Sequence, residues 1–242
     1  SFKIIHKFLK TIGKVLKSGL KTKLVDDTVQ LTDNFDNIVA KVKDDVVEII
    51  AEKGLKLVDP SELKNLSKID PTSSGFINST KLADAKKFKP SESGLKADFD
   101  NLKSLDNNQL GLQSETLANK LFKQDEFVAY DAKIPGFNGN NGFDGVYIKK
   151  DASGNVTDII INEVKQVNNG AIALSSANTA TGLPRQMTDN WITNVTQRMI
   201  DLNTPQNVKD LANLINDNLN KITKVVTGID KIKGEILVFP IN

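Results

Sequence analysis

Hydrophobic and polar positions along this 242-residue chain change their period several times, and each change marks a new segment. The opening SFKIIHKFLKTIGKVLKSGLKTKL sets Ile5, Phe8, Leu9, Ile12, Leu16 and Leu20 at helical spacing with lysines between them. Such a cationic amphipathic helix either lies on an anionic membrane surface or packs on neighbouring elements with its lysines in water. A second helix is predicted over roughly 32–53, where Thr32 or Asp33 caps a stripe of Phe35, Ile38, Val39, Val42, Val46, Ile49 and Ile50, and Gly54 follows as a stop. A short helical piece is expected around 61–69. From Pro71 to Asn108 apolar residues thin out among Ser, Gly, Asn, Lys and Asp, which predicts a linker over 76–108 behind a helical N-terminal domain over 1–75.

After residue 109 the texture changes. QLGLQSETLANKLFKQ carries Leu110, Leu117, Leu121 and Phe122 on one face, as a helix does. EFVAYDAKI, FDGVYIKK and VTDIIINEVKQ read as three strands, the last two joined by the hairpin signal DASGN. LPRQMTDNWITNVTQRMI is predicted as a helix with Pro184 in its first turn, TPQNVKDLANLINDNLNKI as another, and KVVTG and GEILVFPI as closing strands. The order helix, three strands, helices, strands describes a small α/β domain with a mixed sheet over 109–242, behind the helical N-terminal region.

Composition narrows the chemistry open to that domain. The chain has no cysteine, which removes disulfides, Cys-ligated zinc and thiol nucleophiles. Its one histidine, His6, lies in the first turns of the chain, so a His base or a His-ligated metal is not expected in the α/β part. Carboxylates, lysines, amides and hydroxyls remain, a set that works commonly with oxygen-ligated divalent ions. Residues 1–25 hold seven lysines and no acid, whereas 109–242 has 13 basic against 14 acidic residues. Any action of the second part on phosphates must therefore come from a local site and not from a broad positive field. No apolar run approaches the length of a membrane-spanning helix, and no secretory signal is present. The chain opens on Ser1 and is expected to be a piece of a longer one.

One stretch breaks the apolar pattern of its own strand. Alternation places Ile159, Ile161, Glu163 and Lys165 on one face, so an acid and a base emerge side by side near the strand's end. Asp144 begins the preceding strand, and in an antiparallel hairpin turning at 151–155 it falls opposite Glu163 and Lys165. Two carboxylates placed together need a neutralising charge, and a divalent ion supplies one. A plain surface ion pair of Glu163 and Lys165 is the alternative. Glu115, on the helix before the strands, can reach over the sheet's end, and Gly142 and Gly145 flank Phe143-Asp144 and permit close approach of backbone or ligand.

On these residues the chain resembles the PD-(D/E)XK nucleases of restriction-endonuclease-like fold. Asp144 and Glu163-Val164-Lys165 match the Asp and the (D/E)-x-K of that superfamily, Glu115 its frequent helical Glu, and Gln186 the Gln that many members carry on the following helix. The Pro of the name is absent, since Phe143 precedes Asp144. GFDGVY, NEVKQ and RQMTDNWI are similar to nuclease toxins at the C-termini of contact-dependent growth inhibition and other polymorphic toxin systems.

The resemblance implies metal-dependent hydrolysis of DNA or tRNA phosphodiesters. Asp144 and Glu163, with Glu115 directly or through water, would ligate Mg²⁺, with Mn²⁺ or Zn²⁺ as alternatives. Lys165 would position the attacking water or stabilise the developing anion, and Gln186 would orient the nucleophile or touch a phosphate unless it is a plain surface amide. Arg185, Lys149 and Lys150 are candidate nucleic-acid contacts, and Trp191 is either core or a base-stacking platform. The resemblance further implies a cognate immunity protein, secretion or cell-surface delivery from a producing bacterium, action in the target-cell cytoplasm, and entry through residues 1–75, with transient membrane contact by 1–25. Two other classes stay open: a membrane-permeabilising toxin acting through the cationic N-terminus, and a nucleic-acid-binding module without catalysis.

Overall fold

In a computed structural model of the chain, residues 55–134, 142–201 and 203–242 are described, together with the backbone of four strands before residue 50. Two compact units emerge: residues 1–56 with 91–96, and residues 57–90 with 97–242.

The described part of the first unit is an antiparallel meander of β1 (Lys21–Val25), β2 (Thr28–Thr32), β3 (Ile38–Lys43) and β4 (Val46–Ile49) in sequential order. The helix expected over 32–53 is therefore corrected to strands: Thr32 ends β2, and Val42 pairs with Val29 on one side and Val47 on the other. The expected helical stripe is built mostly from Val and Ile, whose branched Cβ favours the extended backbone. A helical N-terminal region over 1–75 is corrected with it. The amphipathic helix expected at the start lies outside the described residues as far as residue 20, and where description begins, Lys21–Val25 is a strand.

The second unit is α/β, with one mixed six-stranded sheet. Its strands are β6 (Lys86–Phe88), β7 (Phe127–Tyr130), β8 (Gly145–Lys150), β9 (Val156–Gln166), β11 (Ile222–Asp230) and β12 (Glu235–Pro240), in the order β6-β12-β11-β9-β8-β7. β5 (Phe76–Ile77) and β10 (Ile172–Ala173) form a separate two-stranded pair. β7, β8 and β9 make the expected antiparallel meander, whereas β9 and β11 run parallel. A parallel pair needs a crossover, and here it contains α5 (Asp189–Asp201) and α6 (Gln206–Asn216). Before the meander come α1 (Pro60–Leu63), α2 (Ser79–Leu82), α3 (Lys96–Leu102) and α4 (Asn107–Leu121).

The linker expected over 76–108 is corrected, because that segment belongs to the fold. β6 pairs along β12 through Ile236↔Phe88, Leu237↔Lys87 and Val238↔Lys86. Ile77, Leu82, Phe88, Phe99 and Leu102 are all buried. Apolar residues there are few, but most of the large ones are buried, and elements of two to seven residues are too short to show a period. The chain leaves the first unit at 56/57, well before residue 75, and returns to it only over 91–96.

Both faces of the sheet are covered. Val146, Ile148, Ile159, Ile161 and Val226 share a core with Trp191, Ile192 and Val195 of α5 and Val208, Leu211 and Ile215 of α6. On the other face, Tyr147 stacks on Phe122 at 4.6 Å between ring centres and donates its hydroxyl to Asn119 of α4. Burial on both sides explains why β9 is apolar from Ile159 to Ile161 without alternation. Helix α5 starts later than Pro184, at Asp189, because Met187 adopts a left-handed φ of 65° that no α-helix accommodates.

Candidate functional site

The β8–β9 register pairs Gly145 with Asn162, which sets Asp144, one residue earlier, opposite Glu163. Asp144 Oδ2 accepts the Val164 N–H at 2.9 Å, so the carboxylate is fixed against the middle of Glu163-Val164-Lys165. Glu115, on the second half of α4, comes over the same end of the sheet. A cleft of about 230 Å³ is lined by Glu115, Asp144, Glu163 and Lys165, together with Ser114, Gln166 and the backbone near Gly111. The four residues that the sequence pattern groups on β8, β9 and the preceding helix thus meet in one place.

Two lysines thread the carboxylates together. Lys165 Nζ stands 2.7 Å from Glu163 Oε1. Lys133, three residues beyond β7, stands 2.9 Å from Glu115 Oε2 and 3.0 Å from Asp144 Oδ1. The side chains of Glu163, Asp144 and Glu115 are only 4%, 7% and 13% exposed, so these are largely dry charges. Three carboxylates against two ammoniums leave one negative charge in excess, and the protonation pattern follows. Burial, then repulsion from Asp144, pushes Glu163 up to about 8. The same two causes push Glu115 up to about 7. Burial also acts against ionised Asp144, but the Lys133 charge and the Val164 N–H outweigh it and hold this carboxyl below its ordinary value. Lys165 is held above the ordinary lysine value, where Glu163 overcomes burial, so it is an ammonium at neutral pH.

Among the described residues, no three acidic or histidine side chains stand as a ready-made metal-ligating group. Lys133, between Glu115 and Asp144, fills the place of a cation there. The donor set nevertheless fits a hard divalent ion: carboxylate oxygens from three elements, short of one positive charge. Gln166, which also lines the cleft and donates to Ser114 Oγ at 2.8 Å, leaves its buried Oε1 without a partner. An unpartnered oxygen at the edge of a carboxylate cluster is a further donor of the right kind.

The remaining candidates are placed elsewhere. Gln186, expected on the helix after the third strand, is corrected to the loop before α5. Its backbone N–H donates to Ser175 O and its side-chain Oε1 accepts the Ser175 N–H, both near 3.0 Å, so it staples two loop segments. It does not line the cleft. Arg185 donates to Thr72 O, which occupies one arm of its guanidinium. Lys149 and Lys150 lie at the far end of β8, Lys149 roughly 16 Å along the strand from Asp144 at about 3.3 Å per residue and ion-paired with Glu126. Lys150, one residue further, lies about 20 Å away on the same count, and neither is brought to the cleft. Trp191 is buried in the core, edge-on to Phe143 at 5.5 Å, which excludes a base-stacking role.

Sequence reasoning did not find Lys133, Ser114 or Gln166. Lys133 sits in no motif, and only the return of the chain from β7 past the start of β8 brings it to Asp144. Gln166 was legible as the residue after Lys165, yet its parity on the strand assigns it to the other face. No helix among the described residues is long and apolar enough to cross a membrane. Comparisons with protein-family models, with curated proteins and with solved structures found no match.

Proposed function

We propose that this chain is a divalent-metal-dependent nuclease of the PD-(D/E)XK, restriction-endonuclease-like kind, which hydrolyses phosphodiester bonds of DNA or tRNA. The observation that carries the reading is the meeting of Glu115, Asp144, Glu163 and Lys165 in one cleft at the end of a three-stranded meander. The element order supports it: a helix, that meander, two helices, then a strand parallel to the third.

Asp144 and Glu163, joined by Glu115, would hold the ion. When bound, a divalent ion polarises the phosphate and makes water a better nucleophile. The chain's own groups do the rest. The Lys133 charge and the Val164 N–H together keep the Asp144 carboxylate ionised, and the Val164 N–H fixes its Oδ2 in place. Lys165 is charged and donates, so it orients the attacking water and faces the negative charge that develops on the phosphorane. A deprotonated lysine acting as general base is the opposite of what its surroundings favour.

In this reading the nuclease is a bacterial toxin delivered into a target cell and neutralised by a cognate immunity protein. The support is the resemblance of GFDGVY and NEVKQ to such toxins, together with a catalytic set that leaves the producer in need of protection. The test incubates the full chain with supercoiled plasmid and with total tRNA, in Mg²⁺, Mn²⁺, Zn²⁺ or EDTA. Cleavage of one substrate that is lost with EDTA and in Glu163→Gln is expected. Binding without cleavage under every metal would overturn the enzymatic reading in favour of a binding module. Leakage of anionic vesicles without hydrolysis would favour a membrane-permeabilising toxin.

A further inference from the structure

Lys133, which stands against two of the cleft's carboxylates, is left unused by the proposed chemistry, and its position is specific. Its ammonium bridges Glu115 Oε2 at 2.9 Å and Asp144 Oδ1 at 3.0 Å, two oxygens from different elements that the nuclease reading assigns to the ion. The side chain is 37% exposed, against 7% for Asp144, so Lys133 keeps a path to solvent and can leave its partners without opening the core. Lys165 pairs with Glu163 instead, so the two ammoniums divide the three carboxylates between them.

The backbone holds Lys133 where it is. A Cβ on Gly142 would lie 2.4 Å from Ala132 O and 3.1 Å from Lys133 Cα, so only glycine lets the segment before β8 lie this close to Lys133. Phe143 N donates to Ala132 O across the same contact. The Asp144 and Lys133 backbones are thereby fixed as neighbours, and the pairing is not a chance meeting of two long surface side chains.

We infer that Lys133 is a positioning residue which stands in for the divalent ion, holding Glu115 and Asp144 together until the ion displaces it. The inference rests on the metal-dependent reading above. In the metal-free protein the ammonium keeps two buried like charges from driving each other apart. Ion uptake is then an exchange of one cation for another, and the intrinsic affinity of the carboxylates is reduced by the work of releasing Lys133. The design keeps the ligands preorganised and makes the ion bind less tightly than the oxygens alone would allow.

The experiment is calorimetric titration of the full chain with Mn²⁺ in the absence of nucleic acid, at about pH 8.5, where proton competition for the carboxylates is small. Lys133→Met should bind Mn²⁺ about tenfold more tightly than the unaltered chain, whereas Lys133→Arg, which keeps the charge, should stay within about twofold. Should Lys133→Met unfold too readily for titration, the rise of its melting temperature with added Mn²⁺ reads the same quantity and should exceed that of the unaltered chain. Equal or weaker Mn²⁺ binding by Lys133→Met would overturn this role and leave the nuclease reading standing. No Mn²⁺ uptake by any of the three proteins would overturn both.

Discussion

Asp144 and Val164 are joined across β8 and β9 by a 2.9 Å hydrogen bond from the Val164 N–H to Asp144 Oδ2. A strand-end carboxylate is thereby tied to the backbone between an acid and a base on the neighbouring strand. This bond accounts for the lowered protonation of Asp144 together with Lys133, and it makes Asp144 a structural as well as a chemical residue.

Asp144→Ala should therefore cost stability along with any cleavage. It leaves the Val164 N–H without its acceptor and Lys133 with one partner, a loss of roughly 1–3 kcal/mol. Asp144→Asn retains an oxygen for Val164 and should melt closer to the unaltered chain while remaining inactive. Thermal melts of the two variants beside a cleavage assay check this; equal melting of Asp144→Ala and the unaltered chain would count against the bond.

Glu163→Gln is expected to behave differently. With Glu163 pushed up to about 8, its side chain is largely protonated at neutral pH, and a glutamine has nearly the same shape and charge. Stability near pH 7 should change less than in Asp144→Ala, which leaves a buried donor without its acceptor, while metal-dependent cleavage disappears. The chemical denaturation midpoint and the turnover rate separate the two effects.

The pH dependence of the metal-free protein follows from the same groups. The folded state holds protons on Glu163 and Glu115 that the unfolded chain releases near 4.5. Stability from these groups is thus complete below about 4.5 and is lost as pH rises towards about 8. Asp144 has the opposite sign, its contribution being lost as pH falls below its ordinary value of 3.8. Urea unfolding in EDTA should show stability declining between these limits, with a shallower decline in Glu163→Gln. Because the ion needs these carboxylates ionised, its uptake near pH 7 should release protons, which titrations in buffers of different ionisation enthalpy detect.

Truncation tests where the folded unit begins. A fragment of residues 57–242 should fold, because it keeps β6 on the edge of β12 and keeps Phe88, Phe99 and Leu102 in place. A fragment of residues 109–242 loses that edge strand and exposes β12 as an unpaired, apolar edge, so it should aggregate or melt at a much lower temperature. Light scattering and melting curves of the two fragments give the comparison.

Much of the second unit could be read from its residues because the signals are local. Alternation, the DASGN turn and the helical stripes around Leu117 and Leu211 announce elements whose own sequence decides them, and the hairpin's length alone sets Asp144 opposite Glu163. Glu115, Asp144, Glu163 and Lys165 were accessible for that reason. The first unit misled because Ile38, Val39, Val42 and Val46 fit both a helical stripe and a strand, and only pairing with β2 and between β3 and β4 decides for the strand. The segment 76–108 misled because one or two well-buried residues per short element suffice once a sheet edge is there to receive them. Gln186 and Lys133 exchanged importance for one reason. A side chain's role depends on which distant backbone lies against it, and that is settled by the close approach of Gly142 to Ala132 and by the left-handed turn at Met187, contacts between segments that no local pattern encodes.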